Sequence, residues 1–137
     1  MPAVKVRKRD EDLQAFDRVS VMLDLDRDYN SFFHLQIDQR GCLREECHVD
    51  GLGDASWNPR WFVAVKSDAA GWQIEAAIPL MELTGETVTL GKAWACNVVR
   101  TLPGRGVQAW STPADVKPRP EGMGLLIFTQ EAKAEGR

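Results

Sequence analysis

Gly71-Trp-Gln-Ile-Glu-Ala-Ala-Ile-Pro79 constrains the fold more tightly than any other stretch of the chain. Its period is two, so as a strand it places Trp72, Ile74, Ala76 and Ile78 on one face and Gln73, Glu75 and Ala77 on the other. An indole at the head of an apolar row needs a second layer to lie against. Pro79 cannot donate to a ladder, so it ends the strand or sits at an edge. Residues 80–83 then form at most one helical turn, stopped by Thr84 and Gly85.

The same alternation recurs along the chain. Arg18-Val-Ser-Val-Met-Leu-Asp24 puts Val19, Val21 and Leu23 on one side and runs into the polar turn Asp24-Leu-Asp-Arg-Asp28. Phe33, Leu35 and Ile37 alternate with His34, Gln36 and Asp38, and Gln39-Arg-Gly41 leads into residues 42–49, which predicts a hairpin. Residues 50–59 are dense in Gly, Asn, Asp and Pro and are predicted as a surface loop carrying Trp57. Trp61, Val63 and Val65 begin a strand that returns, after a turn over 67–71, as the Trp72 strand. Further strands are expected at 93–100, 107–110 and 124–128, with a proline-spaced loop over 111–122. Seven or eight short strands without a long amphipathic helix predict an all-β fold, an antiparallel sandwich of jelly-roll-like kind.

The 137 residues suffice for one domain with its own core. We expect a charged N-terminal segment over 1–16, the sandwich over 17–129 and a tail lacking fixed structure over 130–137. Seventeen basic against twenty acidic side chains leave a net charge of -3 and no electrostatic footprint for nucleic acid. The basic run Val4-Lys-Val-Arg-Lys-Arg9 is offset at once by Asp10-Glu-Asp12. No run is long enough for a membrane-spanning helix, and the first thirty residues lack the apolar region of a secretory signal. The cysteine count is odd, and Cys42 and Cys47 fall on opposite faces of one strand, which argues against a disulfide between them. Cys96 is expected as a small buried hydrophobe.

Several blocks, in order, resemble the family 9 carbohydrate-binding modules and their carbohydrate-binding-like relatives. They are Asp17-Arg18-Val19, Leu23-Asp24, Asp26-Arg27-Asp28, Phe32-Phe33 with Gly41, Trp57-Asn58-Pro59-x-Trp61, Gly71-Trp72-x-x-Glu75-x-x-Ile78-Pro79, Trp94-x-x-Asn97-x-x-Arg100, Trp110 and Gly124-Leu-Leu-Ile-Phe128. Together they span about nine tenths of the chain. The resemblance implies a β-sandwich that serves as an accessory domain of a larger extracytoplasmic protein, with sugar binding in characterised members. Complete modules carry further strands before the Asp-Arg-Val block, and these hold part of the sugar surface. This sequence lacks them, as a fragment would, and its exposed sheet edge or core is then expected to be covered by another copy, a route to self-association.

A sugar site needs an exposed flat aromatic for the C–H face of the ring and fixed polar groups around it. Trp110, between two Gly/Pro-rich turns, is the first candidate; it either stacks on a saccharide or packs between the sheets. Trp57 and Trp61 either clamp a ring or close one end of the sandwich, and Trp72 and Trp94 are expected in the core. Arg100 shares the face of Trp94, while Asn97 faces the other way. Arg100 either bonds ligand hydroxyls or pairs with an acidic neighbour such as Glu75.

Asp24-x-Asp26-x-Asp28 alternates like a calcium loop but lacks the glycine and the bidentate glutamate of an EF-hand, leaving a structural calcium ion or a solvated turn. His34 and His48 have neither a nucleophile context nor a familiar zinc spacing, and His34 is expected on the solvent face. Acidic residues gather in turns and at the termini, not as a pair across one pocket. The chain is therefore expected to be no enzyme but a carbohydrate-binding-like module, or else a structural or protein-interaction module of the same fold.

Overall fold

The structure, a computed structural model, describes residues 12–111 and 122–130. The basic run over 4–9, the prolines at 113, 118 and 120 and most of the expected tail lie outside the described residues. Nine strands follow in chain order: β1 (Arg18–Asp24), β2 (Ser31–Asp38), β3 (Leu43–Val49), β4 (Leu52–Asp54), β5 (Phe62–Ser67), β6 (Trp72–Ala77), β7 (Ala93–Leu102), β8 (Gly106–Ala109) and β9 (Gly124–Ile127). All pairings are antiparallel. Seven strands form one sheet in the order β4-β3-β2-β1-β7-β8, with β9 also on β7, and β5-β6 is a separate hairpin. The fold is thus antiparallel and sandwich-like, and among the described residues the second layer has two strands.

The alternation read from sequence decides the faces. Val21 lies between Leu35 and Val98, and Leu23 between Phe33 and Cys96, so these residues share the inner face. The hairpin lays Val63, Val65 and Ile74 over Ile37 and Leu43. Beside them Leu23, Leu35, Leu83, Trp94 and Cys96 form the main core, closed by Trp57, Trp61, Ile78 and Phe128. Trp94 is 2% exposed and meets Phe128 edge-on at 4.8 Å. Pro79 ends the strand as expected and leads into a single 3-10 turn, Leu80–Glu82.

Three local expectations change. The segment expected as loop contains β4, because Asp50 and Gly51 both take positive φ, 53° and 78°, and make a two-residue hairpin turn between Val49 and Leu52. Trp72 is only half-buried, since its ring stands at the rim of the hairpin and gives its N–H to Asp17. His34 is 7% exposed, because the outer face carries its own layer of side chains. Met22, Phe32 and Val99 cluster there with Val107, Ala109 and Met123, while Arg44, Glu46 and His48 surround the imidazole.

The hairpin covers the inner face on the β1-to-β3 side. Trp94 and Cys96 of β7 lie in the core on that face too, but among the described residues Val98 farther along β7 and Trp110 after β8 are exposed.

Candidate functional site

Trp110 follows β8 and continues its pairing, with its N–H donated to the Val98 carbonyl at 2.9 Å. It therefore stands on the same face as Val98, next to Arg100 and Gln108, which oppose each other across β7 and β8. The indole is 62% exposed. It lies against Gly124 of β9, where an added Cβ would come within 2.7 Å of the ring. The glycine lets the aromatic plane settle on the sheet backbone instead of being lifted off it.

Asn97 is buried on the opposite face. Its Oδ1 accepts from Val98 N–H at 2.9 Å and from Ser111 N–H at 3.0 Å. It thereby fixes the backbone on both sides of Trp110 and acts on that position through the chain rather than by touching the open surface.

Arg100 is tied to Asp17 and not to Glu75. Its Nε and Nη2 reach the two carboxylate oxygens at 3.0 Å and 2.6 Å, and Trp72 Nε1 donates to the same carboxylate at 3.0 Å. One carboxylate thus joins the start of β1, the long strand β7 and the hairpin. The Arg100 guanidinium beside it holds Asp17 below the ordinary carboxylate range, and the Asp17 carboxylate raises Arg100 in turn. The pair uses Nε and Nη2 of the guanidinium, leaving Nη1 pointing away from the bond.

Trp57 and Trp61 pack instead against the main core cluster. Trp57 packs on Phe33 at 4.6 Å between centroids. Trp61 donates its N–H to the fully buried Glu45 at 2.7 Å. Both are half-buried. The structure brings together Trp110, Arg100 and, through the backbone, Asn97; it does not bring the other two indoles to that surface.

The loop after β1 is organised by its own carboxylates. Asp24 is fully buried and accepts from the backbone N–H of Arg27 and Tyr29 at 2.8 Å and 3.1 Å, which stabilises the positive φ of both residues. Asp28 accepts from Asn30 and Ser31. Burial, followed by the neighbouring Asp26, raises the Asp24 carboxyl, whereas the Ser31 and Asn30 amides lower Asp28. Carboxylate oxygens of Asp24, Asp26 and Asp28 lie within 4.8 Å of one another, close enough to share a cation.

A second cluster on the outer face escapes a motif search, because its members come from two strands. The β2–β3 register sets His34 opposite Glu46, and His48 follows two residues along on the same face. His48 Nε2 is 2.9 Å from Glu46 Oε2, and the two imidazole centroids are 5.7 Å apart. Burial, then the charge of His48, lowers the His34 pKa to about 4. Burial works to raise Glu46, but the bonds from Arg44 outweigh it and hold the carboxyl below its ordinary value. The tight turn between Asp38 and Cys42 was the signal in the sequence, since it fixes which residues of the hairpin face each other.

No protein-family model matches the chain, and no curated protein matches it. What the fold defines is a small sandwich-like β module, and among the described residues Tyr29, Phe62 and Trp110 are its exposed aromatics.

Proposed function

We propose that this chain is a carbohydrate-binding-like accessory domain of the family 9 kind, which docks a saccharide on Trp110 and performs no chemistry on it. The observation that carries the reading is the exposure of the Trp110 indole on the open sheet face, backed by Gly124 and flanked by Arg100 and Gln108. The ring offers a flat π-face to sugar C–H groups. Gln108 and the Nη1 side of Arg100 supply donors to the hydroxyls around that face. Asp17, bonded to Arg100, is held ionised by Arg100 and by Trp72, which suits it to positioning Arg100 and not to donating a proton. By the same resemblance the domain is jelly-roll-like and belongs to a larger extracytoplasmic protein.

A second reading is a protein-interaction module that has lost sugar binding, including self-association along the sheet edge. The exposed Val98, Leu125, Leu126 and Ile127 favour it, since they leave apolar surface on and beside β9. Glycan-array screening followed by calorimetric titration separates the two. We expect a saccharide to bind the unaltered chain and to bind Trp110→Ala about tenfold or more weakly, the equivalent of about 1.4 kcal/mol. Because the indole is exposed, the urea midpoint of that variant should stay close to that of the parent. Binding that survives the substitution unchanged rejects the site, and no glycan binding at all favours the interaction module.

A further inference from the structure

We propose that His34, Glu46 and His48 form a binding site for a divalent transition-metal ion of the zinc class on the outer face of β2 and β3. Two imidazoles and one carboxylate are the donor set such ions prefer, whereas calcium and magnesium take oxygen ligands. One donor atom from each residue lies within 4.8 Å of the other two. An ion with bonds of about 2 Å holds its ligands about 3.3 Å apart, so small side-chain rotations close the set.

The surroundings prepare the three groups for that role. Arg44 takes Glu46 Oε1 with two bonds, at 2.9 Å and 2.7 Å, which turns Oε2 toward the histidines. The His48 ring is stacked on Phe32 with centroids 4.5 Å apart and planes 9° from parallel. Opposite His48 on β4 stands Gly53, where a Cβ would come within 3.0 Å of both Glu46 Oε2 and the His48 ring. These are the features of ligands oriented by neighbours and given room. A polar cavity of about 340 Å³, lined among others by Glu46, Arg44, Gln36, Arg18 and Asp12, adjoins the Glu46 side of the cluster. Coordination through His48 Nε2 places the ring proton on Nδ1 and replaces the present bond to Glu46 by a shared ion.

Titration of the full chain with zinc chloride, followed by calorimetry, tests the site. We expect saturation at one ion per chain, undiminished by excess calcium. His34→Ala or His48→Ala should weaken binding about a hundredfold or more, since even neighbours that merely orient a ligand cost tenfold or more. Asp26→Asn should leave binding intact. Cobalt(II) added to the unaltered protein gives a readout that needs no variant. Visible d–d bands of nitrogen and oxygen ligation, without thiolate charge transfer, are expected. The inference is overturned by absent zinc binding, by binding insensitive to both histidines, by loss in Asp26→Asn instead, or by a cobalt spectrum of thiolate type.

Discussion

Asp17 concentrates several long-range contacts in one side chain, and its chemistry makes them pH-dependent. Its folded-state pKa lies below the ordinary aspartate value, because Arg100 donates two bonds to the ionised form. A depressed carboxylate contributes stability that is fully present above the unfolded pKa and is lost as pH falls through the folded one. Arg100 is well exposed to solvent, so the contribution is modest, about 1 kcal/mol. Asp17→Asn should therefore lower the urea midpoint at pH near 6, and the difference from the parent should shrink as pH falls below the ordinary carboxylate range. A difference that stays constant across this range would assign the loss to packing and not to the ion pair. The face of Arg100 was legible in the spacing from Trp94, but its partner was not. Periodicity describes neighbours along one strand, and Asp17 and Arg100 are 83 residues apart.

The β5–β6 hairpin is the element on which the two-layer character of the molecule depends. Val63 is its most deeply buried side chain, wedged between Ile37 and Leu43. Val63→Ala removes two methyl groups from a close-packed contact and should cost about 2 kcal/mol, read from chemical denaturation. The strands of this hairpin, their faces and the stop at Pro79 were all readable from alternation and turn residues. β4 was also written in the chain, as an Asp-Gly dipeptide after β3, but its loop-like composition hid three residues of edge strand. The burial of His34 was not readable. Alternation separates two faces of a sheet without telling whether the outer one is bare, and here Phe32, Arg44, Glu46 and His48 cover it.

At the scale of the whole molecule the two layers are unequal. β1 is paired on both sides, with β2 and β7, whereas the hairpin is held by its apolar face and by the Trp72 bond to Asp17. A two-stranded ribbon is marginal by itself. Amide hydrogen exchange should therefore find β5 and β6 opening as one unit at lower free energy than β1, β2 and the centre of β7. Equal protection of both layers would show that the hairpin is coupled to the sheet more strongly than these contacts imply. The position of Trp110 as an exposed aromatic depends on this inequality. The sequence left core and surface open for it, because the number of strands in the second layer is a property of the whole assembly.

The central pairing of β1 with β7 has a consequence during synthesis. β1, β2 and β3 are successive hairpin partners and can zip together as they emerge, but β7 enters only after the whole intervening hairpin has been made. Until then the edge of β1 that β7 will cover is a bare ladder beside an uncovered apolar face, open to pairing with another nascent chain. The interval between the emergence of Asp24 and that of Arg100 is thus the period in which this protein is most exposed to misassociation, and slow translation through it would lengthen the hazard.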